Sequence, residues 1–91
     1  MKYVVAYDIT HPRRLRRVAR ICEDFGDRVQ YSVFECNLDH FELSELLRQL
    51  ASEMDLKEDK ARVYPIHKDA EKDVISLGCC DIIIDKDFYI I

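Results

Sequence analysis

Glycine is scarce in this sequence, and long apolar runs are missing from it. Only Gly26 and Gly78 among its 91 residues are glycine, so the chain has no glycine-rich loop of the kind that cradles phosphate groups. No run approaches the roughly 20 apolar residues that span a bilayer, and Asp8 interrupts the short apolar stretch that follows Lys2. These absences argue against a membrane span and a secretion signal, and we expect a cytoplasmic protein with no membrane partner.

The four cysteines do not have the spacing of a zinc site. Zinc sites commonly use paired Cys-x-x-Cys motifs, whereas Cys79 and Cys80 are adjacent here and Cys22 and Cys36 stand alone. We interpret all four as reduced, mostly buried thiols, with a zinc site as the minor alternative. The three histidines also lack metal-ligand spacing. Ser32 has no histidine partner in a recognisable motif, which argues against a serine nucleophile.

The size and composition are those of one small globular domain, residues 1–91. Hydrophobic residues make up 48% of the chain and charged residues 35%, which is too apolar for a disordered protein. A domain near this size buries only about 60–65% of the surface of its unfolded chain, so a dimer interface would add to a modest core. The net charge is −4, which argues against a protein that binds nucleic acid through its total charge.

The distribution of charge is more informative than its sum. Residues 1–34 hold seven Lys/Arg and four Asp/Glu, whereas residues 35–91 hold seven and fourteen. Five of the arginines lie between Arg13 and Arg20. Salt screens exposed charges beyond about 8–10 Å, so a local basic stripe can hold phosphate on a chain that is acidic overall.

The apolar pattern of the first half predicts a strand, a helix and further strand structure. Residues 2–9 read as a nearly continuous apolar, β-branched strand. Thr10 or His11 can cap a helix that has Pro12 in its first turn, and we expect Gly26 to end it in a left-handed conformation. Residues 28–38 return to strand chemistry, as one bent strand or two short ones.

The second half adds a helix and a further strand. Asp39 and Glu42 form a capping-box pattern before an apolar helical face. Residues 61–66 predict a strand, and Pro65 places it at an edge or a bulge. Residues 74–77 could form a short strand, and the apolar segment 81–91 must add to a sheet, its own or a partner's. The predicted fold class is α+β, with both helices on one face of a mainly antiparallel sheet.

Asp8 is the first candidate for chemistry. It ends a central strand just before a helix, where it can cap the helix or bind a metal. One carboxylate is a weak magnesium site, because the ion usually takes one or two carboxylates, waters and phosphate oxygens. In a dimer with Asp8 near the two-fold axis, each protomer would supply one carboxylate. A shared Mg²⁺ could then acidify a water and neutralise charge on a scissile phosphate.

The arginine face of the first helix is the second candidate. Arginine forks match phosphate geometry, although most charge stripes are solvated helix faces. Tyr7, Tyr31 and Phe34 could stack on bases, although such aromatic residues are more often part of the core. The helix residues assigned here to nucleic-acid binding are Arg13, Arg16, Arg17 and Arg20.

Three motifs in order resemble the CRISPR-associated Cas-two (Cas2) family. They are Tyr7-Asp8-Ile9 at the end of the first strand, Arg14–Ala19 on the next helix, and Gly26–Glu35 after it. The resemblance is clearest over residues 1–36 and extends over most of the chain. Each motif alone is modest, but their order and spacing together are specific.

The resemblance implies a ferredoxin-like fold and a homodimer, in which a C-terminal strand within 81–91 packs on the neighbouring protomer. It also implies partnership with the Cas-one (Cas1) integrase in a complex that inserts new spacers. Family members are described as metal-dependent endonucleases, so the implied cofactor is Mg²⁺, with Mn²⁺ as the alternative ion. By motif position Asp8 matches the catalytic, metal-binding acid. The positions tied to nuclease activity or substrate binding are matched by Tyr7, Arg16, Arg17, Arg28 and Phe34.

Three functions remain open from the sequence. The first is a metal-dependent endonuclease that cleaves phosphodiester bonds of single-stranded RNA or double-stranded DNA through paired Asp8 carboxylates. The second is a non-catalytic adaptor that bridges DNA within the integrase complex. The third is a toxin-like RNA interferase on the same fold.

Overall fold

The computed structural model describes residues 1–78, which form a βαββαβ unit followed by a short helix. The elements are β1 (Lys2–Asp8), α1 (Pro12–Phe25), β2 (Asp27–Gln30), β3 (Val33–Asn37), α2 (His40–Glu53), β4 (Lys60–Ile66) and α3 (Lys68–Glu71). The strands lie in the order β2-β3-β1-β4, and each neighbouring pair is antiparallel. The predicted ferredoxin-like α+β architecture is confirmed for these residues. The C-terminal strand predicted within 81–91 lies outside the described residues.

One face of the sheet packs against the helices. Alternate residues of β1 and β3 are buried there, because successive strand side chains point to opposite faces. They meet the apolar sides of α1 and α2, and burying each large apolar side chain stabilises the fold by about 1.5–3 kcal/mol. The fully buried side chains of this core are Val5, Val18, Cys22, Phe34, Cys36 and Leu46.

The opposite face of the sheet, called the open face below, carries no helix among the described residues. Paired residues of β3, β1 and β4 form rows across this face, and Glu35, Val4 and Tyr64 form one row. Val33, Ala6 and Arg62 form the next row, and Asp8 lies opposite Lys60 at the end. The centre of this face is therefore apolar, and charged side chains lie around it.

Both long helices begin as their sequences predict. The His11 Nδ1 accepts a hydrogen bond of 3.1 Å from the Arg13 amide, so His11 is the cap of α1 and Pro12 follows it. At α2, Asp39 accepts from the Glu42 amide at 2.8 Å while the Glu42 side chain accepts from the Asp39 amide at 2.9 Å. This reciprocal pair is the predicted capping box.

The prediction of a left-handed Gly26 is wrong. Its φ is −170°, which is extended backbone that any residue adopts. Glycine is required there because the chain passes against β3. A Cβ at Gly26 would lie 2.5 Å from the Cys36 Sγ and 2.8 Å from the Cys36 Cα, and closer still to the Glu35 carbonyl oxygen. Glycine therefore allows α1 to pass directly into a strand packed beside β3.

Two further predictions are decided by the structure. Residues 28–38 contain two strands, β2 and β3, because the chain turns at residues 31–32. The short strand predicted at 74–77 is absent, since these residues have no regular structure, and Val74, Ile75 and Leu77 are at least half exposed. Pro65 lies on β4, an edge strand of the described sheet, as its missing N–H requires.

Within residues 1–78, no helix has the length and apolar character needed to cross a membrane.

The close approach at Gly26 predicts the effect of Gly26→Ala. The new methyl group would meet the backbone of β3, and overpacking of this kind costs about 1–3 kcal/mol or more. We expect the free energy of unfolding, measured by urea titration, to fall by at least this amount. In a protein that already carries Cys36→Ala, Gly26→Ala should still lower the free energy of unfolding, because the nearest obstacle is the Glu35 carbonyl. Full restoration would show that only the thiol requires glycine.

Candidate nucleic-acid and metal site

Asp8 lies at the end of the central strand with its side chain on the open face. Its neighbours Tyr7 and Ile9 are buried on the helix side, so the alternation of the strand directs Asp8 away from the core. Asp8 is exposed, and its register partner on β4 is Lys60. Among residues 1–78, no hydrogen bond or ion pair engages the Asp8 carboxylate. Its oxygens are therefore available to a ligand from outside this part of the chain.

A carboxylate of this kind fits Mg²⁺ chemically, because hard cations prefer oxygen ligands. One chain does not complete the site. Across residues 1–78, no three Asp, Glu, His or Cys side chains lie close enough together to hold a metal. The residues present therefore fit a metal only if further ligands come from a second copy, from water or from a phosphate.

The loop that follows Asp8 is fixed by a second acid, Asp59. The Asp59 Oδ1 accepts from the Thr10 amide at 3.1 Å and from the Thr10 hydroxyl at 3.2 Å. Its Oδ2 accepts from the Arg14 Nε at 2.8 Å and from the Asp55 amide at 2.9 Å. The Asp59 side chain is fully buried. This carboxylate therefore joins the start of α1, two residues beyond Asp8, to the loop before β4.

The hydrogen bonds to Asp59 favour its ionised form. The Arg14 guanidinium, assisted by the Asp55 and Thr10 amides, holds the pKa of this carboxyl far below its usual range, although burial opposes the shift. Arg14 also pairs with Glu58 at 3.0 Å. The Arg14 guanidinium is thus engaged by acids of the chain itself.

The other arginines of α1 are exposed, but they are not equivalent. The Arg17 guanidinium lies 3.6 Å from the Glu53 carboxylate on α2, so part of its charge is offset. Arg13, Arg16 and Arg20 form no ion pair with any other residue of 1–78. The predicted basic surface is therefore centred on three arginines, with Arg17 at its border with α2.

Arg16 and Arg28 lie on the same small pocket between α1 and the turn from β2 to β3. The pocket has a volume of about 190 Å³ and is lined by Tyr7, Leu15, Arg16, Ala19, Arg28 and Tyr31. The Tyr7 amide donates to the Ser32 carbonyl at 3.1 Å, which holds the turn beside the end of β1. The pocket and Asp8 therefore lie at the same end of the sheet but on opposite faces of it.

Two buried aromatic rings lie next to Arg28. Its guanidinium carbon is 5.1 Å from the centroid of Phe34, a cation–π contact. Phe34 is in turn stacked with Tyr7 at a centroid distance of 6.2 Å. Burial raises the pKa of Tyr7, and the nearby Arg28 partly offsets this rise. The Tyr7 hydroxyl is buried and has no partner with hydrogen-bond geometry within residues 1–78.

The three aromatic candidates therefore differ in what they can touch. Phe34 is 0% exposed and Tyr7 only 6%, so neither ring offers a free face for a base in this conformation. They form the floor against which Arg28 packs. Tyr31 is 75% exposed at the tip of the turn and is the accessible aromatic side chain of the pocket.

Two parts of this region were not predicted from the sequence. Asp59 stands in a charged turn, and nothing in its local pattern shows that it would be buried beneath Thr10. The sequence also assigns no role to Lys60 and Arg62, which lie exposed on the open face beside Asp8 and Ala6. The alternation of Lys60, Arg62 and Tyr64 marks them as one face of a strand, but only the pairing register shows which residues they adjoin.

Comparisons with known proteins agree with this fold. The family model described as "CRISPR associated protein Cas2" matches residues 1–74. A Synechocystis protein named CRISPR-associated endoribonuclease Cas2 2 is 38% identical over 90 residues, which cover 98% of this chain and 97% of the relative. A Thermus thermophilus protein named CRISPR-associated endonuclease Cas2 2 is 42% identical over 76 residues, which cover 84% and 82%. The crystal structure of Streptococcus pyogenes Cas2 at pH 6.5 matches with a TM-score of 0.79 at 38% identity, over 86% of this chain and 100% of that chain.

The lowered pKa of Asp59 predicts how stability depends on pH. Above the unfolded carboxyl pKa of about 3.9, the ionised Asp59 stabilises the fold, and this contribution is lost as the pH falls toward the lower folded-state pKa. In Asp59→Asn we expect the melting temperature to fall by roughly 5 °C or more at pH 7. The variant should also lose less stability than the parent between pH 5 and pH 2.

Glu45 is the matched control for Asp59. Arg48 and Gln49 lower its pKa to about 2, but the pair lies on an exposed surface of α2, where water screens it. Glu45→Gln should change the melting temperature by less than about 2 °C. An Asp59→Asn protein with the parent's pH dependence would contradict the role given to Asp59.

Proposed function

Since the chain belongs to the family of CRISPR-associated Cas2 proteins, we propose that it is a metal-dependent endonuclease that acts as a homodimer. The observation that carries this proposal is Asp8, an exposed carboxylate without a protein partner in residues 1–78 at the end of the central strand. An arginine-lined surface lies at the same end of the sheet. The proposed substrates are single-stranded RNA or double-stranded DNA, with the Cas1 integrase as the protein partner in acquisition of new spacers.

The open face supports the dimer part of the proposal. Val4, Ala6 and Val33 lie at its centre, and Tyr64 is 44% exposed beside them. An apolar strip of this kind gains stability when a second sheet covers it, since burial contributes about 25 cal/mol per Å² of apolar surface. Two copies related by a two-fold axis through this face would each present Asp8 at its margin.

In such a dimer the two Asp8 carboxylates would hold Mg²⁺, or Mn²⁺ as the alternative. When bound, the ion would acidify a water and place positive charge on the scissile phosphate. Arginines of the chain would bind and orient the substrate. Arg13, Arg16 and Arg20 would contact backbone phosphates, and the ring of Phe34 would hold Arg28 at the edge of the pocket.

A second function is favoured by one observation. Within residues 1–78, Asp8 belongs to no cluster of three metal-ligating side chains, and the basic surface does not need a metal to bind DNA. A non-catalytic adaptor that lays DNA across the arginines of α1 within the integrase complex is therefore the alternative. In that role, hydrolysis would be incidental to spacer acquisition.

Replacing Asp8 by asparagine tests the nuclease. Asp8→Asn keeps the size of the side chain and removes the charge that would hold the metal. We expect Mg²⁺-dependent cleavage to fall by at least about 100-fold, since metal stabilisation of the transition state contributes several kcal/mol. The stability should change by less than about 0.5 kcal/mol, because the exposed carboxylate has no partner to lose within residues 1–78.

Asp69→Asn, at an exposed acid on α3, is the control and should leave cleavage unchanged. Cleavage by highly purified Asp8→Asn at the parent's rate would refute the site. An Asp8→Asn protein that no longer cleaves but still supports spacer acquisition would assign the adaptor role to the complex.

The arginine surface is tested by the salt dependence of binding. Each lost phosphate contact should flatten the slope of log K against log salt by about 0.9 for duplex DNA or 0.7 for a single strand. We expect this change for Arg16→Ala and a smaller one for Arg17→Ala, whose charge is shared with Glu53. Glu53→Gln should strengthen binding by releasing Arg17. An unchanged slope in Arg16→Ala would make Arg16 an ordinary solvated residue.

A further inference from the structure

We propose that Lys60 is a further substrate-binding residue, whose ammonium group contacts the phosphate that is cleaved beside Asp8. This inference rests on the proposed function, because it names a second contact at the same site. Three observations support it: the pairing of β1 with β4, the charges of the open face, and the anchoring of the chain directly before Lys60. The arginines of α1 lie on the helix side of the sheet and take no part in this contact.

The pairing of β1 with β4 brings Lys60 to the site. Lys60 is the register partner of Asp8, and the Cβ atoms of directly opposed residues lie about 4.5–5.5 Å apart in an antiparallel pair. Ala61 and Val63 pack against the core on the helix side, so the alternation of the strand directs Lys60 to the open face. Asp8 and Lys60 therefore project side by side from one face, and both are exposed.

The charges of the open face differ between its two ends. Where β1 begins, the Lys2 ammonium lies 3.3 Å from the Glu35 carboxylate and 3.6 Å from that of Glu71, so its charge is offset. Where β1 ends, Lys60 forms no ion pair with any residue of 1–78, not even with Asp8 opposite it. The N–H donors of Lys60 are therefore available to an anion from outside this part of the chain.

The chain is anchored directly before Lys60. The Asp59 side chain is fully buried, and its carboxylate accepts from the Thr10 amide at 3.1 Å and from the Asp55 amide at 2.9 Å. The backbone that carries Lys60 is thus tied to the chain just beyond Asp8, while the ammonium group moves freely at the end of a four-carbon stem. Most exposed lysines are only solvated, but this one is held beside the carboxylate assigned to the metal.

A phosphodiester group is the ligand that suits this arrangement. The Asp8 carboxylate by itself repels a phosphate, and a cation on the adjacent strand offsets that repulsion. An ammonium group offers three donors without a fixed direction, so it can follow the phosphate oxygens as charge develops on them during cleavage. Arg62 lies two residues further along the same face, beside Ala6 and also exposed. Its charge adds to the attraction of this face for a nucleic-acid backbone.

The test removes the charge of Lys60 and follows both binding and cleavage, on a labelled single-stranded RNA and on a DNA duplex. Binding is measured by fluorescence anisotropy in EDTA. In Lys60→Gln we expect the slope of log K against log salt to flatten by about 0.7 for the single strand or 0.9 for the duplex. With Mg²⁺ present, kcat/KM should fall by about 10-fold or more, the loss expected for one hydrogen bond to a charged group.

Two variants show whether the effect belongs to the position and charge of Lys60. Lys60→Arg keeps the charge and should retain both the salt slope and most of the cleavage. Lys57→Gln removes the same charge from an exposed site in the loop before β4, and it should change both measurements by less than about twofold. Cleavage is compared at saturating Mg²⁺ and at a protein concentration where every variant sediments as a dimer.

Three outcomes would overturn the proposal. They are an unchanged salt slope in Lys60→Gln, cleavage by that variant at the parent's kcat/KM, and a loss in Lys57→Gln as large as in Lys60→Gln. Failure of the endonuclease proposal would appear elsewhere, as undiminished cleavage by highly purified Asp8→Asn. If the parent protein does not cleave, the salt slope in EDTA decides the phosphate contact by itself.

Discussion

The alternation of side chains along β1 is the constraint on which the rest of the candidate site depends. This strand pairs with β3 over Lys2–Ala6 and with β4 over Lys2–Asp8, so its register is fixed along its whole length. Tyr7 must then point toward the helices and Asp8 toward the open face. Adjacent residues therefore serve opposite faces: Tyr7 lines the pocket bordered by Arg16 and Arg28, and the Asp8 carboxylate is available to a metal. A slip of one residue would bury the acid and expose the tyrosine.

The hydrogen bonds to Asp59 hold the chain in place beyond the end of β1. Since the Asp59 carboxylate accepts from the Thr10 amide and the Arg14 side chain, the start of α1 is tied to the loop before β4. The same loop leads into Lys60, the register partner of Asp8. The position of Asp8 relative to the first turn of α1 is therefore set from both directions. This explains why one arginine of the basic cluster faces inward while its neighbours remain exposed.

The sequence alone predicts the parts of this molecule whose signals are local. The apolar patterns, the capping box at Asp39 and the proline at position 65 correctly indicate the two long helices and the strand regions of the described sheet. They predict a strand at 74–77 that is absent, and they do not predict α3. Asp8 is identified as a candidate because a strand end followed by a helix start is also a local feature. Gly26 shows the limit of such signals. Local rules favour a left-handed cap there, and the actual requirement comes from β3, about ten residues further along the chain.

The differences in contact and exposure among the arginines, and among the aromatic residues, could not be predicted either, because they too depend on distant parts of the chain. A helical stripe shows which side of α1 is basic, but it does not show that Glu53 from α2 lies beside Arg17. Phe34 and Tyr31 look alike as candidates for stacking on bases. Their exposures of 0% and 75% follow only from the pairing of β2 with β3 and from the turn between them.

The placement of Lys60 opposite Asp8 bears on how a shared metal site would work. A cation on the adjacent strand lowers the cost of holding two carboxylates near each other, because it offsets part of their repulsion. The proposed dimer would therefore be able to assemble before the metal binds.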